Sequence, residues 1–372
     1  MSTDTTTPAT TVRSGDGPAG QPTRLRVGWL AGGLLAVGVA LVAGVAVGPV
    51  TLPPGPVAVE VANCAAGGLG LSGAGGPFAS GLDERQAAIV CELRLPRAVL
   101  ALLVGALLAV SGGCYQGVFR NPLADPYLLG VAAGAGLGAT VAVLLRQAIP
   151  AQTPVELPFW AFAGALGAVV LTYALGATGH RYRSPATLIL AGVAVANFLT
   201  AVQTYLMQRD ADTVQQVYSW LLGQLAVSGW HDVWLLLPYA VVTIGVVLTQ
   251  GRRLDVLGVG DEEAASLGLH PAGSRYLLLA VASLGAAAAV SVSGLIGFVG
   301  IIVPHLIRLL VGHSYRVILP LCVLFGGAFL AGADLLARML LAPAEVPIGV
   351  VTAFFGAPFF VIVLRAARRV PV

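Results

Sequence analysis

The chain has 372 residues, of which 57% are hydrophobic and only 10% charged, and its formal net charge is +3. Soluble domains carry about a quarter charged residues, so an ordinary globular domain is excluded, and the small positive charge gives no basis for a nucleic-acid partner. Continuous apolar runs of about twenty residues point to membrane-spanning helices rather than a barrel, because in lipid each segment must bond its own backbone.

Residues 1–23 are rich in Thr, Ser, Pro and Gly and read as a disordered tail. Arg24 and Arg26 then precede an apolar run over 27–50, too long for a cleaved leader, which predicts a first span starting in the cytoplasm. Residues 51–92, with Pro53, Pro54, Pro56 and a glycine cluster, read as an external loop. It contains Cys64 and Cys91, for which spacing alone cannot show whether they are bridged. Cys114 and Cys322 fall in apolar runs and read as core.

The second span covers 97–118 and turns at Pro122 and Pro126. The third, 127–145, carries Gly130, Gly134 and Gly138 at four-residue spacing, a smooth stripe for close helix packing. The fourth covers 159–177, the fifth 187–207 and the sixth 233–249, with a helix too short to cross at 214–225. Residues 254–273 form the longest inside loop. Within it an acidic first turn, Asp261-Glu262-Glu263, is followed by Ala and Leu and closed by Gly268, the pattern of a short helix. Spans seven to ten cover 276–292, 298–310, 317–336 and 348–364.

All 20 basic residues are arginine. With this topology fourteen lie inside and six outside, as the positive-inside rule requires, and both termini are cytoplasmic in an inner or plasma membrane. The absence of lysine excludes a P-loop, which needs a Lys against the phosphates, so any ATP and Mg would be bound in a partner subunit and no cofactor in this chain. A shift of 182 residues brings Val110, Ser111 and Gly112 onto Val292, Ser293 and Gly294, Pro122 onto Pro304, and Gly130 onto Gly312. The second and seventh spans then run antiparallel. The expected fold is therefore an all-α polytopic membrane protein of ten transmembrane helices in two inverted five-helix repeats, within a single domain over 24–372.

Several motifs carry a resemblance: Arg94-Leu95-Pro96-Arg97, Asn121-Pro122-Leu123-Ala124-Asp125-Pro126, Leu190-Ala191-Gly192, Gly297-Phe298-Val299-Gly300 with Pro304-His305, Asp334 with Arg338, and Glu345-Val346-Pro347-Ile348-Gly349. The chain resembles the permease subunits of ABC importers for ferric siderophores, haem and cobalamin. The resemblance implies a second permease copy, commonly in a homodimer, two ATP-binding subunits inside and an extracytoplasmic substrate-binding protein outside. It implies that Arg94, Arg97 and Arg338 receive acidic side chains of the binding protein as exposed rim charges, although Asp334 stands one helical turn before Arg338 and could pair with it. It also implies that Asp261, Glu262, Glu263, Ala265, Ser266, Leu267 and Gly268 couple to the ATPase. Ser184, Pro185 and Ala186 occupy the inner-gate turn, where Pro185 and Ala186 depart from the small hydroxyl residues common in the family. The fifth and tenth helices and the short helix after the fifth would line the path.

From the residues themselves, Asn197, Gln203 and Thr204 are polar groups at membrane depth, where facing a path competes with bonding inside the protein. His305 has no partners at ligand spacing and reads as structural rather than metal-binding. An ion-driven secondary transporter is the alternative class, disfavoured because no carboxylate falls at mid-span. A ferric siderophore is the expected cargo because such permeases carry it most often, with cobalamin and haem as alternatives.

Overall fold

The computed structural model describes residues 25–48, 51–68, 78–149, 155–176, 185–208, 211–225 and 229–367, and these are almost wholly helical. The expected tail over 1–23 lies outside them. In chain order the helices are α1 (Val27–Ala46), α2 (Pro54–Gly68), α3 (Glu84–Ala88), a π turn at Ile89–Arg94, α4 (Leu95–Phe119), a 3₁₀ turn at Pro126–Leu129 and α5 (Val131–Ala148). They continue with α6 (Leu157–Gly176), α7 (Pro185–Met207), α8 (Ala211–Leu221), α9 (His231–Thr249), α10 (Gly251–Val259) and α11 (Asp261–Ser266). The last four are α12 (Pro271–Ser293), α13 (Val299–Val311), α14 (Tyr315–Met339) and α15 (Ile348–Ala367). Among the described residues eight helical stretches are long and apolar enough to cross a membrane, and two further apolar helices are shorter.

Helix α4 is the axis of the bundle. Arg97 at its start meets Asp334 near the end of α14, Gly113 lies against Cys322, and Gly117 lies against Tyr315 at the start of α14, so the two helices are antiparallel. Helix α12 also runs antiparallel to α4: the Cys114 thiol donates to the Leu278 carbonyl, and Leu107 packs on Gly285. Small residues set how near the backbones come. A Cβ at Gly112 would stand 2.0 Å from the Gly300 carbonyl oxygen. The stripe on α5 does the same for α6, where a Cβ at Gly134 or Gly138 would lie 2.3 Å or 2.0 Å from the carbonyl oxygens of Gly164 and Trp160. Gly130, the third member, instead holds φ +83° and caps the start of α5.

Within the segment expected as an external loop, the described residues 51–68 and 78–92 are largely helical. Asp83 and Gln86 form a capping box that starts α3, and the helix continues through the π turn into α4, thirteen residues before the expected start at Arg97. A Cys64–Cys91 disulfide, Cα–Cα 5.8 Å, ties α2 to that turn, settling the pairing that spacing left open. Val57 and Val90 pack with Val45 of α1, and Asn63 exchanges hydrogen bonds with the Phe78 backbone. The third span starts at Val131 rather than 127, because the Asp125 carboxylate accepts from the Tyr127 amide and caps a separate 3₁₀ turn. Residues 254–273, expected as loop with one short helix, carry the end of α10, all of α11 and the start of α12.

The 182-residue register does not join equivalent places. Ser111 and Gly112 lie in the middle of α4, while Ser293 and Gly294 lie at the end of α12. Pro122 lies in a turn and Pro304 inside α13. The matched residues share composition, not a structural position.

Candidate functional site

At one end of the bundle the three expected docking arginines meet, and they are not free rim charges. Helix α1 ends there with orphan carbonyls that need donors. Arg94 donates to the carbonyls of Val45 and Ala46 at 2.9 and 3.3 Å, and Arg338 to those of Gly44 and Val47 at 2.9 and 3.3 Å. Two cations thus cap the negative end of α1. Asp334, with its side chain 3% exposed, sits between Arg97 at 2.8 Å and Arg338 at 3.1 Å. The reason is desolvation: arginines held in a packed helix end need a carboxylate, and the Asp334–Arg338 spacing supplies one on the same helix. Arg97 also binds Glu345 at 2.8 Å, and Glu345 is half exposed. The outward face of this cluster is therefore the Arg97–Glu345 pair. Glu345 was quoted in a sequence motif, but nothing in the sequence showed that it neutralises Arg97.

At the opposite end of α4, about 37 Å away for 25 residues at 1.5 Å each, lies the expected coupling segment. Arg120 closes α4 in the left-handed conformation, φ 50°, and its guanidinium donates to the Leu257 carbonyl at 2.8 Å and pairs with Asp261. Arg275 of α12, its side chain 10% exposed, pairs with the same carboxylate. Hydrogen bonding from Arg275 first, then the charges of Arg275 and Arg120, hold the Asp261 carboxyl below its usual range against the opposing effect of desolvation. Asp261 therefore acts inward, as a tether.

Ala264 is fully buried and pins α11, whereas Glu262, Glu263, Ala265, Ser266 and Gly268 are exposed and Leu267 is 68% exposed. The helix stops in a Schellman motif: Leu269 N–H donates to the Ala264 carbonyl and Gly268 N–H to that of Ala265, with Gly268 at φ +81°. A left-handed residue there favours Gly, which is why the closing Gly was readable.

Between these ends, α7 and α15 present open faces. Leu190, Asn197, Phe198, Thr204 and Tyr205 are exposed on α7, and Phe354, Phe355 and Ile362 on α15. Asn197 and Thr204 satisfy themselves, donating to the carbonyls of Val193 and Thr200 one turn back at 2.8 and 2.9 Å. Gln203 is on the other side. It is 6% exposed and packed against Gly136 of α5, so it is part of the bundle interior and not of that face. Of the expected gate residues, Ser184 lies outside the described residues, Pro185 begins α7, and Ala186 is exposed.

A joint that sequence reading missed connects α8, α12 and α15. Gly223, φ +73°, accepts from Ile348 N–H at 3.1 Å, Leu222 accepts from Gly349 N–H at 3.1 Å, and Gln224 N–H donates to Ser293 at 2.9 Å. A Cβ at Gly223 would stand 2.6 Å from the Leu295 carbonyl oxygen. Nearby, Phe298 holds a left-handed conformation, φ 69°, and seats against Gly356 of α15. A bulky residue in that region marks stored strain. His305 stacks edge-on with Phe359 of α15, a packing contact.

The model of the FecCD transport family matches residues 34–366. The cobalamin import system permease protein of Halobacterium salinarum is 46% identical over 78% of this chain and 76% of its own length. The Fe(3+)-citrate import system permease protein of Bacillus subtilis is 37% identical over 77% and 84%. A solved inward-facing metal-chelate type ABC transporter superposes with a TM-score of 0.76 at 29% identity, over 91% of this chain and 98% of that one.

Proposed function

Because the chain belongs to the FecCD transport family, we propose that it is the conduit of an importer whose engine and cargo receptor are separate subunits. It is a multi-pass membrane permease of the ABC importer type. The carrying observation is the arrangement of α11. One carboxylate fastens that helix to α4 and α12 and the buried Ala264 seats it, while most of its remaining surface and the adjoining Leu267 are turned outward. A helix anchored by Asp261 and Ala264 and otherwise mostly open suits a groove on an ATPase subunit, and a push on it would pass through Arg120 into α4 and through Arg275 into α12.

We take the two shorter apolar helices, α13 and α15, with the eight long ones as ten crossings. On that reading the Arg97–Glu345 end is extracytoplasmic and meets a binding protein, and the Asp261 end and both termini are cytoplasmic. The half-exposed Glu345 supports an exchange in which an acidic side chain of the binding protein replaces it on Arg97. The open faces of α7 and α15 support pairing with a second copy around a mostly apolar path. Such a wall suits a bulky, wrapped metal chelate rather than a bare ion. One relative is a cobalamin permease and another an Fe(3+)-citrate permease, so the cargo we propose is cobalamin or a ferric chelate such as a siderophore.

The test is uptake in proteoliposomes holding this chain with the ATPase and binding protein encoded beside it. ATP-dependent accumulation of cobalamin or of a ferric chelate, unaffected by a protonophore, is expected. Uptake that a protonophore abolishes while ATP is plentiful would assign the secondary-transporter class instead.

A further inference from the structure

Two cavities on the outside of the bundle adjoin at shared lining residues, and their chemistry differs. The first, about 630 Å³, lies where α1 starts and α13 ends; Arg26, Arg308 and His313 line it, with no acidic residue. The second, about 230 Å³, runs on between α13 and α14 and is lined only by apolar and aromatic side chains, among them Ile307, Phe325 and Ala328. Trp29, Leu310 and Val311 line both, so a basic mouth and an apolar floor lie side by side, and a single ligand spanning them would form one groove.

Among the described residues the two arginines of the mouth, Arg26 and Arg308, have no carboxylate partner. Arg308 donates only to neutral oxygens, the Gln116 side chain at 3.0 Å and the Tyr315 hydroxyl at 3.1 Å, which orient the guanidinium without neutralising it. By contrast Arg97, Arg275 and Arg338, also partly or largely buried, each have a carboxylate. Two arginines from different helices facing one cavity therefore favour an anion. A free anion would gain nothing from the apolar extension. Trp29 stands at the junction, where an amphipathic ring sits well at the level of a headgroup.

We propose that this groove holds one phospholipid with an anionic headgroup, its phosphate between Arg26 and Arg308 and an acyl chain along α13 and α14 past Trp29. The lipid would fasten α1 to α13.

The experiment uses the purified full chain in detergent, mixed with phosphatidylglycerol or with phosphatidylcholine of the same chain length. Native mass spectrometry counts the lipids retained. One tightly retained phosphatidylglycerol is expected, preferred over phosphatidylcholine by roughly fivefold for each arginine. Arg26→Gln, at an exposed position, should lower the preference about fivefold. Ala328→Trp, which fills the apolar floor and leaves the charge unchanged, should lower retention of phosphatidylglycerol. Arg308→Gln removes two hydrogen bonds and could misfold, so those two variants carry the result. Equal retention of the two lipids, or Arg26→Gln behaving as wild type, overturns the proposal. Displacement of the lipid by millimolar inorganic phosphate, with Ala328→Trp behaving as wild type, would assign a simple anion site and overturn it equally.

Discussion

The two ends of α4 carry the same chemistry, arginines sharing an aspartate, in opposite settings. Asp334 is 3% exposed at its side chain, and two arginines there are consumed in closing α1. Asp261 is 47% exposed and holds a six-residue helix that is otherwise mostly turned outward. A buried pair is expensive to form and costly to break singly, because the partner is left charged without water. An exposed pair is screened and can be exchanged. The first end is thus built to stay closed and the second to be pulled on.

Breaking the buried end should have the largest effect. Asp334→Asn leaves Arg97 with only Glu345 and Arg338 with only backbone carbonyls, and we expect a loss of about 3–5 kcal/mol in stability. Thermal unfolding in detergent would register this, together with low yield from the membrane. Wild-type stability would mean that α1 is not clamped through this aspartate.

That cluster also shows where sequence reading stopped. Composition, spans and the α5 glycine stripe were legible because lipid restricts the chain to continuous apolar helices and close packing demands small residues. The Asp334–Arg338 pair was legible because four residues make one turn. The bonds from Arg94 and Arg338 to the end of α1 were not, because they join positions 49 and 294 residues apart, and no local pattern records such a contact. The same holds for Arg120 and Arg275 on Asp261, and for Gly223, whose constraint comes from Leu295 rather than from its neighbours in sequence. Gln203 misled because polarity at membrane depth does not say which face of the helix bears it. The 182-residue register misled because apolar helices of like composition match easily; only the α4–α12 antiparallel pairing gave it a geometric check.

At the exposed end, Asp261→Asn should cost about 1 kcal/mol, because the carboxylate is screened by water. Its pH dependence has a definite sign. The folded carboxyl titrates below its ordinary value, about 3.9, so the tether contributes fully above that value and is lost as pH falls through the lower folded one. Acid unfolding of wild type and Asp261→Asn should therefore converge below about pH 4 and stay separated by a constant margin from there to neutrality. Curves that instead converge toward neutral pH would show that the carboxylate is not held by Arg275 and Arg120. ATPase stimulation in the assembled transporter should fall further than stability does, since a loosened α11 still binds but no longer pulls on α4.

The smallest effect on the fold should come from Leu267→Glu. Leu267 is 68% exposed, makes no part of the core, and lies at the C-cap of α11, so the unfolding free energy should change by no more than about 0.5 kcal/mol, as is usual for a surface change. A new carboxylate four residues after Glu263 adds only weak repulsion. If the outward side of α11 is merely solvated, nothing else should change. If it is seated in a groove of a partner, the same substitution puts an unpaired charge into a closed apolar contact, which costs far more there than in water. Co-purification of the ATPase with the Leu267→Glu chain would then fall sharply while the isolated chain unfolds as wild type does. That divergence separates a coupling surface from a solvated helix, which Asp261→Asn cannot do, because Asp261 belongs to the tether as well as to the segment.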